Sequence, residues 1–224
     1  MPRPTVALFD IDGTLITCGG AGRTSMERAF GEVLGRSDTG GFPFGGMTDP
    51  AIARQAALAA GHEVGPSLVG RVLDRYLAHL ESELPRSPGY RVLDGVLSLL
   101  ETLERHAHVA VGLGTGNLET GARLKLVHGA IWERFSFGGY GSDHEDRARL
   151  LARGAERGAA KLGCSVGAAR VVVIGDTPRD IAAARAIGAT VIGVATGGYD
   201  AAALADADLV VSRLDDARVV ARIV

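Results

Sequence analysis

Three short strings of this sequence hold the residues best suited to chemistry. The first is Asp10-Ile11-Asp12-Gly13-Thr14-Leu15, which places two carboxylates around a glycine turn. Carboxylates about 4 Å apart repel by roughly 4 kcal/mol at an effective dielectric of 20. A fixed pair therefore suggests a bound cation or a shared proton, and a divalent metal is the simpler answer. The same string also reads as an acidic turn capping the next segment. The second string runs Val171-Val172-Val173-Ile174-Gly175-Asp176-Thr177-Pro178-Arg179-Asp180. A spacing of four puts Asp176 and Asp180 on one helical face. Mg2+ takes oxygen ligands from one or two carboxylates plus water and phosphate, which suits Asp10 and Asp176 on neighbouring strand ends. Asp180 can equally serve the helix N-terminus electrostatically. The third, Leu113-Gly114-Thr115-Gly116-Asn117, offers a hydroxyl and backbone N–H groups to an anion. Its glycines stop short of a dinucleotide fingerprint, because G-x-G-x-x-G from Gly112 requires glycine where Asn117 stands. Asn117 is expected to cap the helix that follows.

Each string lies where a short apolar run ends. Runs at Thr5–Phe9, Val109–Leu113, Arg170–Ile174, Thr190–Val194 and Leu209–Val211 read as buried parallel strands. Amphipathic segments over Asp94–Arg105, Leu118–His128, Arg147–Lys161 and Pro178–Ile187 read as the helices between them. The alternation predicts an α/β fold with a doubly wound parallel sheet, whose carboxyl edge gathers ligand sites. Thr177 before Pro178 predicts an N-cap, and Gly188 a left-handed stop. Ile16 to Pro88 breaks the pattern, with successive helices over Ser25–Leu34, Pro50–Ala60 and Ser67–Glu83 and no convincing strand. We expect a helical cap over residues 17–88 inserted into a core of residues 1–16 and 89–224, with glycines and prolines at the crossings as hinges.

Bulk composition limits the function. The 224 residues carry 24 Lys and Arg against 26 Asp and Glu, so the net charge of -2 draws the chain to neither nucleic acid nor an anionic membrane. A small-molecule substrate is expected, with no protein partner inferred. Two cysteines, Cys18 and Cys164, make no disulfide framework or zinc site, and the apolar stretch Val6 to Phe9 is too short for a signal peptide. A cytoplasmic setting is expected. The histidines lack metal spacing, and His62, His79 and His128 read as ordinary helix residues. Cys18 reads as a small buried hydrophobe.

Three ordered motifs, Asp10-x-Asp12-Gly13-Thr14, then Thr115 after a strand, then Gly175-Asp176-x-x-x-Asp180, resemble those of the haloacid-dehalogenase-like superfamily over nearly the whole chain. The resemblance implies Asp10 as nucleophile and Asp12 as general acid and then base, with its main-chain carbonyl on the metal. It implies Thr115 as phosphate binder, and Asp176 and Asp180 as metal-site carboxylates. The superfamily also supplies a Lys or Arg before the last motif. The usual Lys-Pro pair is absent here, and the candidates are Arg147 and Arg149 in Ser142-Asp143-His144-Glu145-Asp146-Arg147-Ala148-Arg149. We choose Arg147. Lys161, at the far end of the same helix, reads as a dipole-facing cation. The helical cap resembles that of phosphoglycolate-phosphatase-like members, with Gly46-Met47-Thr48-Asp49-Pro50 similar to their cap loop and Arg23 and Thr48 as further candidates for substrate contact.

The implied activity is Mg2+-dependent hydrolysis of a small phosphate ester through an aspartyl phosphate. Alternatives are a phosphomutase of the same fold and a phospho-accepting signalling module. The inserted helices argue against the module, and Asp12 argues against dehalogenation, which has no leaving alcohol to protonate.

Overall fold

The computed structural model describes residues 2–37 and 41–224. Its core is a six-stranded sheet in the order β5-β4-β1-β6-β7-β8, formed by Gly138–Gly139, Val109–Gly114, Thr5–Phe9, Arg170–Gly175, Thr190–Val194 and Leu209–Val211. Every neighbouring pair in it is parallel. The fold is the expected doubly wound α/β sheet, and β1 lies at its middle between β4 and β6.

Alternation along β1 explains the two layers of helix. Val6 and Leu8 point to one face and pack with Leu150, Leu151 and Ala155 of α6 (Arg147–Lys161) and Ile181 and Ala184 of α7 (Pro178–Ala186). Ala7 and Phe9 point to the other face. There they join a core containing Leu99 and Leu103 of α4 (Val96–Leu103), Leu126 of α5 (Glu119–His128), and Val219 and Ile223 of α8 (Ala217–Ile223). Both faces are covered, as the unbroken apolar runs demand.

Helices α1 (Ala21–Leu34), α2 (Asp49–Ala59) and α3 (Pro66–Glu83) occupy the interrupted stretch and pack on one another. One correction concerns its edges. Ile16–Cys18 forms β2, which pairs antiparallel with β3, Tyr90–Val92, so the segment expected to lack a strand begins with one. Three residues whose partners lie about seventy positions away leave no periodic signal in the sequence. The two chain crossings therefore run as one hydrogen-bonded ribbon, reinforced by Ser87 Oγ donating to the Cys18 carbonyl at 2.7 Å.

Loop residues 44–49 come down from α1–α3 onto the carboxyl edge of the sheet. Asp49 N–H donates to the Gly116 carbonyl at 2.8 Å, Thr48 Oγ to the Glu145 carbonyl at 3.0 Å, and Arg147 to the Gly46 carbonyl at 3.3 Å. Among the described residues no helix is long and apolar enough to cross a membrane.

Candidate active site

Register brings the three strings together. Phe9 pairs with Leu113 on one side and Ile174 on the other, so Asp10, Thr115 and Asp176 leave adjacent strand ends. Asp10 and Asp176 open on a cleft of about 350 Å³ beneath the 44–49 loop, with Thr115 buried just behind its lining residues Gly116 and Asn117.

Asp10 is 5% exposed, and burial pushes its carboxyl up to about 6 against the pull of the Arg147 guanidinium, with Asp180 and Asp12 adding to the rise. Arg147 Nη2 lies 3.0 Å from Asp10 Oδ2, while Nη2 and Nε donate to Asp180 Oδ1 at 2.5 and 2.9 Å. This cation is delivered by the first residue of α6, just after Asp146, whose carboxylate accepts the N–H groups of Ala148 and Arg149 as an N-cap. Arg149 points away to His144 on the exposed side.

Asp180 is fully buried and uses both oxygens. Oδ1 takes Arg147, and Oδ2 accepts the Thr177 N–H and hydroxyl at 3.0 and 2.7 Å, completing a capping box at the start of α7. Its two sequence readings thus coexist, since the residue that caps the helix also anchors the guanidinium.

Asp176 is pushed up to about 8, by burial first and then by Asp10 and Asp180. Thr14 Oγ donates to it at 3.3 Å, and a Cβ on Gly13 or Gly197 would collide with its carboxylate. Oxygens of Asp10, Asp176 and Asp180 lie within 4.8 Å of one another. Three buried carboxylates against one guanidinium hold excess negative charge, the condition a divalent cation relieves, and an all-oxygen donor set suits a hard ion. The Asp12 carboxylate stands outside this trio, and only its main-chain carbonyl is expected at the metal.

Asp12 is held elsewhere. Lys125 Nζ donates to its Oδ2 at 2.5 Å, Asn117 Nδ2 to the same oxygen at 2.9 Å, and Cys18 Sγ to Oδ1 at 3.3 Å. Enclosure by protein pushes this carboxyl upward, but Lys125, Asn117 and Cys18 together hold it below its ordinary value. Cys18 is therefore buried and polar in use, rather than a plain hydrophobe. The expected N-cap role of Asn117 also gives way, because its amide turns to Asp12 and to Thr115 Oγ. The free N–H at the start of α5, on Leu118, is taken instead by Asp49 Oδ2 at 2.8 Å. Thr115 is fully enclosed, and its hydroxyl oxygen accepts from Asn117 N and Nδ2, which leaves its own proton to donate.

Lys125 escaped the sequence reading, although a signal existed. The buried residues of α5 are Gly121, Ala122, Lys125 and Leu126, so a lysine stands on the apolar face of an amphipathic helix. Burial would strip its proton, yet Asp12 and neighbouring groups keep it well above its ordinary value.

The haloacid dehalogenase-like hydrolase family matches residues 4–188. The chain belongs to that family. Membership makes it a hydrolase, and hydrolysis of phosphoric monoesters is the activity that fits both the family and this site. A curated relative, the validoxylamine A 7'-phosphate phosphatase of Streptomyces hygroscopicus subsp. limoneus, is 27% identical over 223 residues, covering 95% of each chain. Among solved structures, a hydrolase from Pseudomonas syringae superposes with a TM-score of 0.72 at 21% identity, covering 96% of this chain and 95% of that one. CbbY from Rhodobacter sphaeroides, in complex with phosphate, gives 0.70 at 14% identity, with 96% of each chain covered. A protein from Haemophilus somnus described as a predicted phosphoglycolate phosphatase gives 0.70 at 17% identity over 98% of each. These three structures share the fold.

Of the remaining candidates, Arg23 lines the cleft and Thr48 is buried beside it. Arg23 is stacked 4.0 Å over Phe44 and paired with Glu27 at 3.1 Å, and Thr48 caps α2 by accepting Ala51 N–H at 3.3 Å. Asp49, also lining the cleft, is pushed up to about 6 by burial, with Lys125 and the Leu118 N–H opposing. A carboxyl raised from 3.8 to about 6 binds its proton better folded than unfolded. Its contribution therefore turns against folding as pH climbs through that window, by about 3 kcal/mol in all. Asp49→Asn keeps an acceptor for Leu118 without the charge, so its melting temperature should exceed that of the wild type at pH 8. The advantage should vanish near pH 4, and a difference independent of pH would contradict the assignment.

Proposed function

We propose that this protein is a Mg2+-dependent phosphatase that hydrolyses a small phosphorylated metabolite, phosphoglycolate-like or a sugar phosphate, through an aspartyl phosphate on Asp10. One observation carries the reading: a buried carboxylate, Asp10, stands in a cleft 3.0 Å from a buried guanidinium and within 4.8 Å of two further carboxylates. The metal would be held by Asp10, Asp176 and the Asp12 main-chain carbonyl, and it would supply positive charge to the phosphoryl oxygens.

The chain's own residues divide the remaining tasks. Arg147 and the Thr115 hydroxyl bind phosphoryl oxygens, and Asp180 holds Arg147 in place. An Asp10 oxygen attacks phosphorus in line, the ester P–O bond breaks, and the leaving oxygen takes a proton from Asp12. Water then attacks phosphorus, giving its proton to Asp12, and the P–O bond to Asp10 breaks to release phosphate. Asp12 rests in its base form, as the second step requires, and a phosphate dianion arriving beside it raises its proton affinity for the first.

Residues 17–88 act as the cap that covers the substrate and excludes water, and residues 1–16 with 89–224 as the catalytic core. A relative named for a phosphate ester at 27% identity supports the substrate class. Two free cysteines fit a cytoplasmic enzyme. A panel of phosphorylated metabolites assayed for free phosphate, with Mg2+ and with chelator, tests the reading. Metal-dependent release from at least one compound is expected; release unaffected by chelation would remove the metal from the mechanism.

A further inference from the structure

Lys125 lies outside every motif that carries the proposed chemistry, yet its ammonium is built into the site. The residue is 3% exposed, and Nζ donates to Asp12 Oδ2 at 2.5 Å and to Asn117 Oδ1 at 2.6 Å. Asn117 closes the ring by donating Nδ2 to the same Asp12 oxygen at 2.9 Å, and Cys18 holds the other oxygen at 3.3 Å. Donors from β2, from the turn after β4 and from α5 thus converge on one carboxylate. The helix is fixed from behind by Tyr90, whose hydroxyl donates to the Lys125 carbonyl at 2.6 Å.

Packing does not require this arrangement. The other side chains on the buried face of α5 are small or aliphatic, and a leucine at position 125 would fill the space without desolvating a charge. What the lysine secures is the direction of Asp12. That residue sits on an irregular turn with its side chain 45% exposed to the cleft, so without ties its carboxylate would visit several rotamers. Proton transfer requires an approach of about 2.6–3.2 Å, and a misplacement of about 1 Å can cost a hundredfold in rate.

We propose that Lys125, acting with Asn117, is a positioning residue that aims the Asp12 carboxyl at the leaving group. The site's two buried cations then have separate tasks, Arg147 serving Asp10 and the phosphate, Lys125 serving Asp12. The assignment rests on the roles given above to Asp10 and Asp12.

A double-mutant cycle in the full chain tests it, using Lys125→Met, Asp12→Asn and the double variant. Turnover would be measured with Mg2+ and the best substrate of the metabolite panel, with inorganic phosphate as competing ligand. Lys125→Met should lower kcat about a hundredfold, with KM and phosphate inhibition changed less than about threefold. In the Asp12→Asn background the same substitution should cost less than about threefold, because its target is already gone. Equal losses in both backgrounds, a loss confined to KM and phosphate affinity, or no loss would each overturn the assignment. If Lys125→Met lacks a cooperative thermal transition, Asn117→Ala carries the same kcat loss and the same dependence on Asp12 through the other arm of the clamp, with KM set aside because Asn117 also holds the Thr115 hydroxyl. Failure of the underlying reading looks different: wild type would release no phosphate, or Asp12→Asn would be fully active.

Discussion

Asp10→Asn should abolish phosphate release, lowering kcat by about 10⁴ or more, while leaving the protein folded and no less stable. The amide matches the carboxylate in shape but cannot form an acyl phosphate. Stability should hold or rise because burial already pushes Asp10 up to about 6, so at pH 8 the native state bears the cost of ionising it. A neutral amide removes that cost. Kinetics and thermal melting on the same preparation separate the two effects. Activity within tenfold of wild type would remove Asp10 from the nucleophile role, and a collapse in melting temperature would make it structural.

Arg147→Met should be damaging in both respects. The guanidinium is the ion-pair partner of both Asp10 and Asp180, and burial that would lower its proton affinity is outweighed by those two carboxylates. Removing it leaves two buried carboxylates without their cation, a loss of about 3–5 kcal/mol for a broken buried pair. Activity should fall by about 10²–10³ from the lost stabilisation of phosphoryl charge. The stability loss carries a pH signature. Without Arg147, Asp10 shifts further up, so the variant binds more protons folded than unfolded and weakens as pH rises. Denaturant titrations should therefore show a larger deficit at pH 8 than at pH 5. Arg147→Lys keeps the charge but loses the fork that reaches Asp10 and Asp180 together, so it should recover part of the stability and little of the rate. Arg149→Met, on the exposed side of the same helix, should change neither appreciably, and a large effect there would reverse the choice between the two arginines.

The central strands could be read from the sequence because parallel strands buried on both faces appear as unbroken apolar runs. Thr5–Phe9, Thr190–Val194 and Leu209–Val211 are bounded as expected, and Arg170–Gly175 and Val109–Gly114 extend one residue further. The missed strands lacked that signal. Gly138–Gly139 is a two-residue edge strand with no side chains to reveal it, and the ribbon of β2 and β3 depends on pairing between distant segments. Helix α8 spans only seven residues, too short for a clear period.

At the site, carboxylates at strand ends were legible because their positions follow from local sequence. Partners supplied from elsewhere were not. Proximity of Arg147 and Asp180, 33 residues apart, is a property of how α6 and α7 pack. The clamp on Asp12 joins positions up to 113 residues apart, and only the placement of a lysine on an apolar helix face hinted at it. Local sequence marks Asn117 as a cap, whereas the Leu118 N–H donates to Asp49 from the loop above and the Glu119 N–H to Ser142 Oγ.

The covalent step is the claim on which the account stands, and rapid acid quenching reads it directly. Enzyme mixed with Mg2+ and a turned-over phosphate ester, stopped within milliseconds and digested, should yield the peptide spanning Thr5 to Leu15 carrying one phosphoryl group. Borohydride should convert Asp10, and no other residue, to homoserine. Phosphate released at full rate with that peptide unmodified at every time point would mean that water attacks the ester directly, contradicting the nucleophilic role of Asp10.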